Sequence, residues 1–542
     1  MREFREVIDE ILRSRGISSP EEKEEFLSDS PKRTYDPFLF DQMEAGVDLL
    51  LSEIKKGTRI CVYGDYDADG VTSVCIICRG LDMLTDNYFY YVPDRMDEGY
   101  GLNTKAIDRI KASGAGLILT VDCGCVSYKE VEYAKSIGLQ VIVTDHHSID
   151  TTIADCIVIN PKKKDCGYPF RELAGCGVAF KFVQALQRKA DLPKSMLTDV
   201  LDMVAIGTIG DIVSLTDENR TLVKYGIKAI QSGRRESLTA LERAISLSRI
   251  SSESIAFGIV PHINAAGRMG TAVDAIKLFT SSDEKEINNQ VERLINYNNE
   301  RKKCQNDAFD SCTGMVDGND KFILISTNQI HEGIAGIVAG KIKDQFNRPV
   351  IIATPTEDGM VKGTGRSIPA VDLYDLLNRH QELFVRFGGH KGACGFLMTA
   401  ENYELLREGL IQDMEEEYAA NPDLFETRME WDSELEPGEV TIELAKALQQ
   451  LEPFGEGNPA PKFRISNVRL GQVVFMGEDR SHVRFAASDE NGSAYCVLFR
   501  KAKDYADLLA GDQNVDLIGN LSYQIWRGEE RVQFITDTIL EH

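Results

Sequence analysis

The chain has 542 residues, 43% of them hydrophobic, and a formal net charge of −25 at pH 7. That length exceeds what one core can serve and predicts two to four domains. No apolar run of 18 or more residues and no basic-then-apolar leader at Met1 is present, which argues against a membrane span or secretion and predicts a cytoplasmic protein.

Residues 1–45 read as helical; Ser18-Ser19-Pro20-Glu21-Glu22 is a helix start with Pro in the first turn. Residues 46–215 alternate strand and helix patterns. Four short apolar runs there end in polar chemistry. Arg59–Gly64 leads into Asp65-Tyr66-Asp67-Ala68-Asp69-Gly70, Leu117–Val121 into Asp122, Gln140–Thr144 into Asp145-His146-His147, and Cys156–Ile159 into Asn160-Pro161-Lys162. With helical stretches such as Lys129–Ile137 and Ala179–Lys189 between them, these runs predict the buried strands of a doubly wound parallel α/β domain. Residues 216–320 are predicted to be a helical connector, with a long charged helix from Asp283 to Asp310. Residues 321–400 form a second, smaller α/β unit with strands Phe322–Ser326 and Pro349–Ala353 around a helix Gly333–Lys343. Residues 401–450 carry 15 acidic and 3 basic side chains and read as acidic helix plus linker. From Leu451 the pattern turns all-β. A hairpin runs from His482–Ala487 through Asp489-Glu490-Asn491-Gly492 to Ala494–Phe499, and further strands lie at Val515–Ile518 and Val532–Ile535, which suits a small OB-like barrel.

Ligands of an open parallel sheet bind at the carboxyl ends of its strands, so the carboxylates and imidazoles should share one crevice. Asp67 and Asp69 sit one residue apart, bracketed by Gly64 and Gly70, and can face two neighbouring cations. Asp122 is placed to bridge them, and Asp211 ends the apolar run Ile206–Gly210. Carboxylate and imidazole ligands without thiolate favour Mn²⁺ or Mg²⁺ over structural Zn²⁺. Two such ions can activate water and stabilise both oxygens of a displacement at phosphorus. Cys123 and Cys125 flank Asp122 and read as small packing residues. The twelve cysteines lack a disulfide framework and read as reduced thiols.

The net charge argues against indiscriminate polyanion binding, so a nucleic-acid path would be a local basic groove in an acidic shell. Gly363-Thr364-Gly365-Arg366-Ser367, read as exposed backbone N–H groups beside a guanidinium, is phosphate-binding chemistry. Gly388-Gly389-His390-Lys391 and Asn264 to Met269, with Arg268, extend the set. In the barrel, Phe485, Tyr495, Phe499, Tyr523 and Trp526 lie among Arg484, Arg500, Lys501, Lys503 and Arg527. Aromatics among cations suit single strands, and Trp526 at a turn is the stacking candidate.

The runs Gly64–Ser73, Asp122-Cys123-Gly124, Asp145-His146-His147 and Gly207–Asp211 resemble the DHH phosphoesterases, and the chain is most similar to the RecJ-type single-strand-specific exonucleases. Gly363–Ser367 and Phe387–His390 resemble the family's second, DHHA1 domain. The resemblance covers nearly the whole chain. It implies that Asp67, Asp69, Asp122, His146 and Asp211, with Asp65, hold two Mn²⁺ or Mg²⁺ ions. It places His147 on the scissile phosphate or leaving group, beside Asp67 and Asp122 in catalysis. It also implies that part of the set Asn264, Arg268, Arg366, Ser367, Gly389 and His390 grips the strand near its 5′ end. One position departs: many members carry His where this chain has Tyr63, and Tyr is a poor substitute ligand, so the first ion is expected to lean on Asp65 or water.

The expected activity is hydrolysis of single-stranded DNA to mononucleotides, 5′→3′ by resemblance, in DNA repair and recombination. Candidate partners are single-stranded DNA and a single-strand-binding protein or helicase, with no membrane. Two rivals stand beside it. One is a DHH phosphodiesterase acting on cyclic dinucleotides or short oligoribonucleotides, which needs no barrel. The other is a scaffold that kept the fold and lost its metals, which the intact acidic and imidazole set opposes.

Overall fold

The computed structural model describes residues 4–95, 97–149, 152–356, 358–426, 429–526 and 528–542, without the side chain of Trp526. Five parallel strands form the first sheet: β1 (Arg59–Tyr63), β2 (Tyr88–Tyr91), β3 (Ala115–Val121), β4 (Gln140–Thr144) and β5 (Ile157–Ile159), in the order β2-β1-β3-β4-β5. Alternate residues of β1 serve the two faces. Ile60 and Val62 join one apolar layer, and Cys61 and Tyr63 the other. Burial on both faces is why these strands carry runs rather than alternation.

The helix Ala68–Leu81 is buried along nearly its whole length between Gly175–Lys189 and Leu201–Gly210. The predicted connector is not a separate layer. Leu222, Leu241, Ile263, Ile276 and Leu294 share one core with the first sheet, so residues 216–294 extend the body built on that sheet. The long helix Glu284–Thr313 then carries the chain to the second sheet.

That second sheet is mixed, in the order β6-β7-β8-β10-β9: β6 (Ile323–Ser326), β7 (Val350–Pro355), β8 (Met360–Arg366), β9 (Phe384–His390) and β10 (Ala393–Thr399). Only β6 and β7 are parallel. The helix Glu332–Phe346 covers one face, and Leu406, Leu410 and Met414 of Tyr403–Ala420 cover the other. The first half of the acidic segment is therefore part of this unit, its charge being the solvated side of a packed helix.

Residues 433–541 build the barrel from β11 (Ser433–Glu434), β12 (Phe463–Met476), β13 (His482–Asp489), β14 (Gly492–Leu498), β15 (Val515–Trp526) and β16 (Glu529–Glu541). Pairing of β12 with β15 closes the five long strands on themselves. The barrel does not finish its own core. Val7, Ile8, Ile11 and Leu12 of the helix Phe4–Ser14 pack with Phe463, Phe485 and Phe534. Ser19 caps the next helix, Pro20–Leu27, in a capping box with Glu22.

All twelve cysteines are free thiols. Among the described residues, no helix is long and apolar enough to cross a membrane.

Candidate metal centre and phosphate-binding crevice

The carboxyl ends of β1, β3 and β4 deliver Asp65, Asp122 and Asp145–His147 to one point. Ligand atoms of Asp65, Asp67 and Asp122 lie within 4.8 Å of one another, as do those of Asp69, His146 and Asp211, and those of Asp122, His146 and His147. His146 Nε2 stands 3.1 Å from Asp122, 3.5 Å from Asp211 and 3.8 Å from Asp69. All seven side chains singled out from the sequence are thus brought together. Asp67 and Asp69 stand at the start of the helix Ala68–Leu81, just past β1, and Asp211 at the C-terminal end of the helix Leu201–Gly210.

Local structure holds the acids in place. Asp67 caps the helix Ala68–Leu81, its Oδ1 accepting from the backbone N–H of Asp69 and Gly70. Asp69 accepts from the N–H groups of Gly175 and Cys176 at 2.7 and 2.8 Å, at the start of the helix Gly175–Lys189. Asp122 adopts a left-handed φ of +59°, a conformation that costs about 1–3 kcal/mol and persists where its surroundings enforce it. A Cβ on Gly175 would stand 2.6 Å from the Asp122 carboxylate, and one on Gly207 2.8 Å from that of Asp69. Those glycines make room for the acids.

The electrostatics call for cations. Burial and the neighbouring Asp67 push Asp69 up to about 6; burial, Asp69 and Asp67 push Asp211 up to about 8. Asp65 and Asp122 rise well above the carboxylate range for the same two reasons, burial first and like charge second. Burial holds His146 down at about 3, so its imidazole is neutral. Asp65 Oδ1, Asp122 Oδ1 and His146 Nε2 are buried with no hydrogen-bond partner. Carboxylates that cannot all ionise together, beside a neutral imidazole with a free lone pair, are a donor set suited to hard divalent cations.

His147 differs. Its Nδ1 lies 2.8 Å from Asp145 Oδ1, and 44% of its side chain is exposed, so a substrate can reach it. Burial opposes its charge, yet the Asp145 hydrogen bond prevails and raises it to about 9. Burial likewise opposes the Asp145 charge, and the two histidines outweigh it. The Tyr100 hydroxyl sits 3.2 Å from the His147 ring nitrogens.

Tyr63 takes no part in these clusters. Its hydroxyl donates to the Gly101 carbonyl at 2.9 Å, and its ring stacks on Tyr91 at 5.6 Å on the opposite face of the sheet. Asp65 is the residue of this motif that stands with Asp67 and Asp122.

On the other side of the crevice three further guanidiniums act on Arg268. Arg268 feels Arg95, Arg301 and Arg366 as well as Asp67, and burial lowers it to about 10. Arg268 donates to the Gly333 carbonyl at 2.8 Å. A Cβ on Gly336 would stand 2.8 Å from Arg366 Nη2, so both arginines border the helix Glu332–Phe346. Arg95 lies over the Tyr66 ring at 4.9 Å. Arg95 and Arg301 escape a reading of the sequence. Neither sits in a glycine-rich motif, and Arg301 is one cation of a charged helix.

Several predicted contacts fall elsewhere. Gly363–Arg366 is not a loop offering free N–H groups but part of a central strand, β8, paired with both β7 and β10. Its glycines admit neighbours: a Cβ on Gly363 would meet the Phe396 ring at 2.0 Å. Ser367 is buried and donates its hydroxyl to the Val371 carbonyl. Asn264 Oδ1 accepts from Ala68 N–H at 2.7 Å and so steadies the acidic turn. Gly389 and His390 end β9; Gly389 pairs with Cys394, and His390 Nδ1 accepts from Gly392. In the barrel Phe485 is core, while Tyr495 and Phe499 are nearly half exposed. The side chain of Trp526 and Arg527 lie outside the described residues.

A cavity of about 660 Å³ runs from this crevice. Ile212, Phe257, Arg268, Arg301, Ile337 and Phe454 line it, drawing on the body built on the first sheet, the second sheet's helix and the approach to the barrel.

Known proteins share this layout. Residues 59–208 match the DHH family, N-terminal domain, residues 319–416 the DHHA1 domain, and residues 431–538 the RecJ OB domain. The single-stranded-DNA-specific exonuclease RecJ of Escherichia coli (strain K12) is 32% identical over 98% of this chain and 95% of its own length. That of Bacillus subtilis (strain 168) is 34% identical over 97% of this chain, which spans 66% of that protein. The crystal structure of Thermus thermophilus RecJ in complex with Mn²⁺ superposes with a TM-score of 0.85 at 28% identity, covering 99% of this chain and 78% of that one, and its Mg²⁺ complex with 0.79. The chain belongs to the RecJ family of single-stranded-DNA-specific exonucleases, within the DHH phosphoesterases.

Proposed function

We propose that this protein hydrolyses single-stranded DNA from the 5′ end, releases mononucleotides, and serves DNA repair and recombination. The observation that carries the reading is the juxtaposition of seven acidic and imidazole side chains with four arginines across one crevice. Asp65, Asp67 and Asp122 form one candidate cation site and Asp69, His146 and Asp211 the other, with Asp122 between them. Two Mn²⁺ or Mg²⁺ ions bound there supply activation of water and charge neutralisation at phosphorus.

The protein's own groups do the rest. Arg268 and Arg366, with Arg95, bind phosphate oxygens and set which bond of the strand faces the acids. His147, charged and anchored by Asp145, is placed to donate a proton to the departing oxygen. The cavity toward the barrel, with exposed Ile212 and Phe257, accommodates unpaired bases, whereas a duplex would have to unpair to enter. Its continuation toward the barrel favours a long strand over a cyclic dinucleotide. A single-strand-binding protein or helicase that supplies single strands in the cytoplasm is the fitting partner.

Digestion of end-labelled single and double strands, in DNA and RNA and with each divalent metal, tests this. The 5′ label should leave first, as a mononucleotide, from single-stranded DNA with Mn²⁺ or Mg²⁺. Release from the 3′ end, or equal attack on blunt duplex, overturns it.

A further inference from the structure

A second cavity, of about 310 Å³, lies where the N-terminal helices, the helix Asp217–Gln231 and the approach to the barrel meet. Three arginines line it: Arg33, which faces Asp217, and the more deeply set Arg15 and Arg220. Arg220 is 4% exposed. Its Nε and Nη2 donate to the Phe26 carbonyl at 3.2 and 3.0 Å, Nη2 also reaches the Glu452 carbonyl at 2.9 Å, and the plane lies 3.7 Å over the Phe26 ring. All these partners are neutral; among the described residues no carboxylate comes within salt-bridge distance of Arg220. Its Nη1 is buried with no partner.

Arg15 donates to the Asn458 side chain and the Pro459 carbonyl and has Asp432 at 3.6 Å, yet its Nε is also buried and unpartnered. One turn beyond Arg220, the Lys224 ammonium donates to the carbonyls of Phe26 and Ser28. Burial and the other cations lower Arg220 to about 9 and Lys224 to about 8.

Glu22 and Glu25 also line the cavity, but their carboxylates accept from backbone N–H groups of Ser19, and of Lys32 and Arg33. Asp217 Oδ2 accepts from the Tyr35 hydroxyl and faces Arg33, while its Oδ1 is buried without a partner.

Water could satisfy the orphaned N–H groups but not the charge, and a buried cation without a counter-charge is costly. Two unsatisfied donors and one unsatisfied acceptor match an anion that has both acceptor oxygens and one hydroxyl. We propose that this cavity binds a hydrogenphosphate-class oxyanion, as free phosphate or as the phosphate of a mononucleotide, held by Arg15 and Arg220 with its hydroxyl toward Asp217. Bound there, it ties the N-terminal helices and the barrel to the catalytic body.

The test uses the full chain in EDTA, so that no divalent metal draws phosphate to the crevice. Melting temperature is followed against inorganic phosphate, sulfate or 5′-dTMP at constant ionic strength set with chloride. Phosphate or 5′-dTMP should raise it saturably, and whichever saturates at the lower concentration names the source. Arg15→Gln should weaken half-saturation by about tenfold, the loss of one charge-assisted hydrogen bond, while Arg366→Ala leaves it unchanged. If Arg15→Gln does not fold, Arg220→Lys gives the same reading. No saturable shift over chloride overturns the proposal. So does a shift lost in Arg366→Ala and kept in Arg15→Gln, and so does sulfate binding as tightly as phosphate.

Discussion

The two walls of the crevice are built by different logic. The acidic wall comes mainly from the ends of adjacent parallel strands, where topology alone forces side chains separated by up to about a hundred residues into contact. The basic wall collects Arg95, Arg268, Arg301 and Arg366 from a loop, two helices and a strand that share no topological rule. Groups that must meet closely sit at the carboxyl edge of the sheet and at the ends of helices that share its core. Groups that hold a flexible strand are spread along the path.

Substitutions can break that contrast. The largest effect belongs to the acidic wall: Asp67→Ala should lower hydrolysis by on the order of 10³-fold or more while single-strand binding persists; turnover at saturating Mn²⁺ near the parent rate would refute its role. Next comes Gly175→Ala, which leaves every proposed ligand intact but drives a methyl group into Asp122. It should weaken Mn²⁺ binding by about 10–100-fold, measured by calorimetry, as supporting groups around metal ligands do. On the basic wall, Arg366→Ala should raise KM for single-stranded DNA by about tenfold or more and steepen no metal requirement, since one charged hydrogen bond is worth roughly 1.5–3 kcal/mol.

A pH series sharpens the comparison without any substitution. Metal-free Asp211 and Asp69 titrate near 8 and 6, above their ordinary values, so each holds a proton at lower pH that a cation must displace. Apparent Mn²⁺ affinity should therefore fall as pH drops from 9 toward 6, by up to about tenfold per unit for each proton released. The arginines stay charged across that range, so strand binding without metal should hardly change.

The acidic wall is legible in the sequence because period and punctuation carry it: a buried apolar run, then an acid, repeated along an α/β pattern. Asp211 answers to the same cue though its run is a helix, since Ile206–Ile209 is buried on every side and so lacks amphipathic period. The basic wall is half legible. Arg268 and Arg366 lie in recognisable runs, but the glycines beside Arg366 read as an exposed loop, whereas in β8 they admit Phe396 and Leu373. A glycine signals close approach without saying whether a ligand or a neighbouring ring makes it. The attachment of residues 4–14 to the barrel is not legible at all, because an amphipathic helix does not encode which distant surface covers its apolar face.

That attachment bears on synthesis. The stripe of Val7, Ile8, Ile11 and Leu12 leaves the ribosome roughly 450 residues ahead of the strands that bury it, a wait on the order of a minute at about 5–20 residues per second. Until the barrel arrives the stripe is bare, so nascent chains should depend on holding factors, and circular permutants that place this helix directly after residue 541 should mature faster and aggregate less.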